Sequence, residues 1–156
     1  MKKRGAFDQS PVALSEDECL VLLKSCDLGR IAFAIDSSPE ILPVNYAIHE
    51  EMVVFRTAPG TKLNSTANAK VAFEVDDWDP ELGAGWSVVV KGIAEDYTNR
   101  HDSFADRVRS ASVRPVAPGS RWRWLAITPA DISGRRFQVR PRRGRSRGGT
   151  SSAAKT

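Results

Sequence analysis

The sequence predicts a mainly β fold of the α+β class: a small antiparallel barrel of short strands with about three helices set between them. Three observations carry this. Short runs rich in Val, Ile, Phe, Trp and Tyr recur along the chain with period-two alternation, as at residues 28–35, 41–49 and 86–97. These runs mostly follow one another through short polar turns, which makes hairpins and argues against a regular β-α succession. No Gly-rich dinucleotide fingerprint follows any of them, which removes a Rossmann sheet and leaves a closed antiparallel barrel as the better architecture.

Residues 1–13 carry early charge and little apolar content and are expected to form a flexible arm. Ser15 then supplies an N-cap, Glu16, Asp17 and Glu18 fill the first turn, and Glu18 stands at the capping-box position. Cys19, Leu20, Leu22, Leu23 and Cys26 follow at helical spacing, so a first helix is expected to end at Asp27. Residues 28–35 place Ile31, Phe33 and Ile35 on one face of a strand, and residues 36–40 read as a hairpin loop. In the next strand Leu42, Val44, Tyr46 and Ile48 alternate with Pro43, Asn45 and Ala47; Pro43 has no N–H to donate, which puts that position at an edge or a bulge. Glu50-Glu51 turns the chain into a strand at residues 52–57. A short helix is expected at 60–69 and a strand at 70–76 with Val71, Phe73 and Val75 inward.

Residues 78–85 are Gly- and Pro-rich and read as a connection to the expected longest strand, 86–97, where Trp86, Val88 and Val90 share a face and Gly92 allows a bend. A second amphipathic helix is expected at 101–112, with Phe104, Val108 and Ala111 on its stripe, and a loop at 113–120. An alternating strand at 122–129 and a turn with a short strand at 132–137 complete a single domain over residues 14–137. Residues 138–156 offer only Val139 and two alanines as apolar content with which to fold, so a disordered basic tail is expected.

Charge is unevenly spread. Six of the 23 basic residues lie after Gln138, where there is no acid, so the preceding body holds 17 basic against 19 acidic residues. The overall basicity belongs to the tail, which speaks against nucleic-acid binding by the domain; the tail lacks the aromatic residues that stack bases. Two cysteines and two histidines, His49 and His101, are too few and too scattered for a zinc site, and Cys19 and Cys26 read as small buried hydrophobes. The N-terminal residues carry no apolar run of signal-peptide or membrane-span length, and a cytoplasmic protein without membrane association is expected.

The stretch 52–79 concentrates the chemistry. A strand ends at Arg56-Thr57, Ala58-Pro59-Gly60 breaks it, and Thr61-Lys62-Leu63 opens a helix. A Gly that frees the backbone, hydroxyls, an ammonium and the N–H groups of a helix start are what a phosphate requires; an ordinary turn with a solvated Lys is the plainer alternative. No nucleophile is placed beside a base and no metal-ligand cluster is evident, so no catalytic residue is assigned and a reactive cofactor is the evident route to catalysis.

The succession G-R-I-A-F (29–33), P-V-N-Y (43–46), F-R-T-A-P-G-T-K-L (55–63), V-A-F-E-V-D (71–76), G-W-S-V-V-V-K-G-I-A (85–94) and A-I-T-P-A-D-I-S-G-R-R (126–136) resembles the pyridoxamine 5′-phosphate oxidase-like flavin-binding proteins over residues 12–137. That resemblance implies a split β-barrel of six to seven antiparallel strands, a homodimer, and FMN bound across the dimer interface, with the deazaflavin F420 as the alternative cofactor. It implies phosphate contacts at Arg56, Thr57, Thr61 and Lys62, with Leu63 behind them. It also implies that Pro43, Val44, Asn45 and Tyr46 lie beside the ring and ribityl chain, and that Trp86 and Ser87 approach from the partner subunit. For Trp86 a core or interface position is equally open, and the Tyr46 hydroxyl could instead satisfy a buried acceptor. The Arg and His residues that grip vitamin B6 phosphate near the C-terminus of the oxidase proper are not matched here. The implied function is therefore a flavin reductase or nitroreductase type of oxidoreductase acting on a small molecule; the rival is a flavin or haem carrier or sensor without turnover.

Overall fold

A computed structural model describes residues 10–58, 67–114 and 122–138. The elements run β1 (Val12–Leu14), α1 (Glu16–Lys24), β2 (Leu28–Ile35), β3 (Ser38–His49), β4 (Met52–Thr57), β5 (Ala69–Asp79), β6 (Ala84–Asp96), α2 (Ser103–Arg109) and β7 (Arg123–Gln138). All strand pairings are antiparallel, in the order β1-β7-β4-β3-β2-β5-β6, and β6 pairs back onto β7 to close a six-stranded barrel with β1 as an extra edge strand. This is the mainly β antiparallel barrel that the alternation implied, in the split-barrel form that the resemblance implied, with two helices among the described residues; most of the third helix expected, at 60–69, lies outside them, and Ala69 belongs to β5.

Alternation decides what is inside. Ile31 and Phe33 of β2, Val53 and Phe55 of β4, Val71, Phe73 and Val75 of β5, Val88 and Val90 of β6, and Leu125 and Ile127 of β7 fill the barrel together with Val44 and Tyr46. Helix α1 closes one end with Cys19, Leu20 and Leu23. Its start is fixed by a reciprocal cap, in which Ser15 N donates to Glu18 Oε2 (2.8 Å) and Glu18 N donates to Ser15 Oγ (3.3 Å). Helix α2 covers the outer side of β4 and β7, where Ala105, Val108, Ala111 and Val113 pack on Met52, Val54, Tyr97 and Ala126. Strand β4 is thus buried on both faces.

The structure corrects several expectations. Val12 and Ala13 are not an unpaired arm but pair with Arg136 and Arg135 of β7. α1 stops at Lys24 with Ser25 as its C-cap, so Cys26 lies beyond the helix and is only half-buried, unlike Cys19. The loop at 36–40 shrinks to a two-residue turn with φ of 48° at Asp36 and 66° at Ser37, repeated by Glu50 and Glu51, the positive values that two-residue hairpins demand. The polar segment 78–85 is a four-residue turn, 80–83, flanked by strand: β5 and β6 pair from Ala69↔Ala94 out to Asp79↔Ala84, and Asp79 Oδ1 caps the turn by accepting from Glu81 N and Leu82 N.

β7, at 16 residues, is longer than the 13-residue β6. No turn interrupts it at Gly134, which pairs with Val88 of β6 and Leu14 of β1. A Cβ at Gly134 would approach Cys19 Sγ to 2.6 Å, so this glycine lets α1 sit close against the sheet. The bend foreseen at Gly92 is present as a shift of register between Lys91 and Gly92, which leaves Ala130 as the extra residue of β7 next to Pro129.

Where β6 leaves the barrel, Asp96 accepts hydrogen bonds from Thr98 N (2.9 Å) and from the Arg123 guanidinium. Burial pushes the Asp96 carboxyl up, but the Thr98 and Arg123 hydrogen bonds outweigh it and hold the group below its ordinary 3.8. A carboxyl depressed on folding stabilises above its unfolded pKa and loses that contribution as pH falls through the folded value. Asp96→Asn is therefore expected to lower the urea midpoint at pH 7, with the gap to wild type narrowing as the pH is taken below 3.8.

Candidate functional site

The ladder between β3 and β4 stops at Tyr46↔Phe55, although β3 reaches back to Ser38 and β4 runs on to Thr57. Among the described residues the barrel is open at this seam. Over residues 38–45, β3 is paired with β2 alone among the described residues, so Pro43 occupies a locally edge-like position in an otherwise internal strand, as its missing N–H requires.

Arg56 stands at the mouth of the seam. Odd residues of β4 face the barrel interior, so Arg56 points outward, opposite Trp124 of β7, with its guanidinium carbon 4.9 Å from the indole centroid. Its Nε is buried and has no hydrogen-bond partner among the described residues. A charged donor withdrawn from water without an acceptor is costly, on the order of 1–3 kcal/mol or more, and a ligand oxyanion is the kind of group that would relieve it. The neighbouring cation, Arg123, is already tied to Asp96. The donor set at the seam therefore fits a phosphate-bearing ligand at Arg56.

The structure separates the other expected site residues. Thr57 follows Arg56 and is 2% exposed. Thr61, Lys62 and Leu63 lie outside the described residues. Val44 and Tyr46 turn inward: the Tyr46 hydroxyl donates to Leu23 O (2.5 Å), and its ring meets Phe73 edge-on at 4.8 Å. Burial pushes the Tyr46 hydroxyl well above its ordinary pKa, and the nearby Cys26 and Asp27 add to this. Of the run 43–46, only the Pro43 and Asn45 side chains face outward, with Asn45 Nδ2 donating to Asp27 O (3.2 Å).

Trp86 and Ser87 are remote from Arg56 within one chain. Trp86 pairs with Arg136, whereas Arg56 pairs with Trp124, and those two β7 positions are separated by roughly 40 Å of strand path at about 3.3 Å per residue. Trp86 packs against the barrel core and lines a separate cleft of about 190 Å³ with Asp77, Asp79 and Arg136. Trp124 was missed from the sequence; the alternation W-R-W at 122–124 was its only signal. Among the described residues no helix is long and apolar enough to cross a membrane, and no cluster of three or more His, Cys, Asp or Glu could hold a metal ion.

The residue pattern of the pyridoxamine 5′-phosphate oxidase family matches residues 15–136. The chain belongs to this family. Among solved structures of similar fold, the FAD binding protein of Mycobacterium smegmatis is 38% identical, with a TM-score of 0.70 over 81% of this chain and 100% of that one. A Corynebacterium glutamicum protein provisionally named a pyridoxamine 5′-phosphate oxidase is 31% identical, with a TM-score of 0.71 over 86% of this chain and 98% of that one. An uncharacterized Mycobacterium tuberculosis protein is 38% identical over 94 residues, covering 56% of this chain; the match spans 62% of that relative's length.

Because Tyr46 is a core residue, Tyr46→Phe should act on stability. Leu23 O would lose its buried donor, and the expected loss is about 1–3 kcal/mol, read from urea unfolding.

Proposed function

We propose that this chain is a flavin-dependent oxidoreductase whose cofactor phosphate is held at the open seam between β3 and β4. The observation that carries the proposal is the buried, unpartnered Nε of Arg56 beside Trp124, at the end of the strand where the resemblance sets the phosphate contacts. Arg56 would give the phosphate a charge-assisted hydrogen bond, with Thr61 and Lys62 as the further contacts, and with Leu63 and the inward-facing Thr57 behind them. Pro43, Asn45 and the backbone of Val44 and Tyr46 would flank the ribityl chain and ring. Bound flavin supplies the acceptance and release of hydride or electrons; the chain's part is to bind, orient and exclude water.

FMN is the cofactor the resemblance implies. FAD is a second reading, favoured by the name of the 38% identical mycobacterial protein, and F420 is the remaining alternative. Spectra of the purified protein and identification of the compound released on denaturation decide between them. The substrate is proposed to be a small molecule, met in the cytoplasm. NADH, NADPH and reduced F420 are the donors to test by stopped-flow reduction; if none reduces the bound flavin faster than free flavin, a carrier or sensor role replaces turnover.

Arg56→Ala should weaken flavin binding about tenfold or more, since a charge-assisted phosphate contact contributes about 2 kcal/mol. Fluorescence titration with FMN and FAD reads the change. Unaltered affinity in a folded variant would remove Arg56 from the site.

The strand path between Arg56 and Trp86 supports a homodimer in which each site takes Arg56 from one chain and Trp86 and Ser87 from the other. Two variants, Arg56→Ala and Trp86→Ala, each impaired alone, should then complement when their chains are mixed and re-formed. A two-fold dimer predicts recovery of about one quarter of the sites at wild-type affinity. Recovery of none, measured by flavin titration, would place all contacts within one chain.

A further inference from the structure

A second cleft, of about 390 Å³, lies on the outer face of the barrel away from Arg56 and is lined by Lys70, Val71, Ala72, Lys91, Gly92, Ile93 and Ala130. Its shape follows from local sequence. Lys70 pairs with Ile93 and Ala72 with Lys91, so the two lysines sit on one diagonal and the two apolar side chains on the other. Ala72 is too small to fill the space between its neighbours, and the bulge that leaves Ala130 without a partner on β6 brings that methyl to the rim. Ile93, 46% exposed, forms an apolar wall that solvent reaches.

The charged residues that line the cleft are both cations. Diagonal neighbours on paired strands stand about 7–8 Å apart at the backbone, so the two ammonium groups can converge on one acceptor. The lining contains no acid. Neither lysine has an ion-pair partner among the described residues, Asp131 across the ladder from Lys91 included, whereas Arg30, Arg100, Arg107, Arg109 and Arg123 each carry a carboxylate. An apolar floor of methyl-sized groups between two cations that form no ion pair among the described residues selects for a molecule with an apolar body and one anionic end.

We propose that this cleft is a binding site for a small amphipathic carboxylate, its oxygens between Lys70 and Lys91 and its hydrocarbon body over Ala72, Ile93 and Ala130. The site is independent of the flavin proposal: β7 intervenes between β6 and the strand that carries Arg56. The volume lies at the small end of ligand pockets and leaves room for an eight-carbon chain.

Octanoate is the probe, titrated into the full chain by calorimetry and followed by amide shifts at Ala72, Gly92 and Ile93. One octanoate per chain is expected, with octanol binding at least about tenfold more weakly because it lacks the charge. Lys70→Ala combined with Lys91→Ala should weaken octanoate about tenfold or more, while Lys70→Arg with Lys91→Arg should retain it. Ala72→Leu, which fills the floor and leaves both lysines in place, should abolish binding; both lysines are exposed, so the double alanine variant decides should the leucine variant not fold. Equal affinity for octanol, undiminished octanoate binding in the double alanine variant, or no saturable binding at these residues would each overturn the proposal.

Discussion

The barrel depends on β7 forming hydrogen bonds along both of its edges. It pairs with β4 through Arg123–Ile127, with β6 from Leu125 onward, and with β1 through Gly134–Arg136. A straight strand of 16 residues cannot follow neighbours on both sides of a closed sheet; it must bend, and the extra residue at Ala130 beside Pro129 provides the bend. Once β7 closes the ring, each strand has an inner and an outer face. Phe55 and Leu125 go in; Arg56 and Trp124 go out and meet. The same bend that closes the barrel shapes the Lys70–Lys91 cleft, so the two candidate sites are products of one constraint.

Much of this was readable in the chain. Period-two alternation identified the inward residues of β2, β5 and β6, and the capping box placed the start of α1 within a residue. Less readable were features that depend on what a segment meets in space. Gly134 reads locally as a turn, yet its role is to admit Cys19, a contact between residues more than a hundred positions apart. Residues 78–85 have loop composition, yet they extend a hairpin because Asp79 closes its turn and β7 pairs along its flank. Val12–Leu14 carries too little pattern to announce a strand; only the exposed edge of β7 makes it one.

The candidate site divides in the same way. Arg56 was legible because it ends a strand just before a break. The run Pro43–Tyr46 was named as a block, and only the direction of each side chain distinguishes its members. Leu42, Val44 and Tyr46 already alternated against Pro43 and Asn45 in the sequence, and that alternation matches which side chains face inward and which outward. Trp124 was not found because a cation–aromatic contact across two strands is a matter of register, and register is set by closure.

The half-paired stretch of β3 has a consequence for self-association. Tyr46 N donates toward Asp27 on the β2 side, so amides of the same parity point that way and those at positions 39, 41, 43 and 45 point into the seam. Two of these four positions are proline, Pro39 and Pro43, and have no N–H. A further strand docking here would find every second rung missing and the pyrrolidine rings in its path, which is how natural sheets keep exposed edges from recruiting neighbouring chains into aggregates. A compact ligand, which needs only one or two backbone contacts, meets no such obstacle. The prolines thus discourage another strand from extending the sheet at this edge, without barring side chains from approaching it.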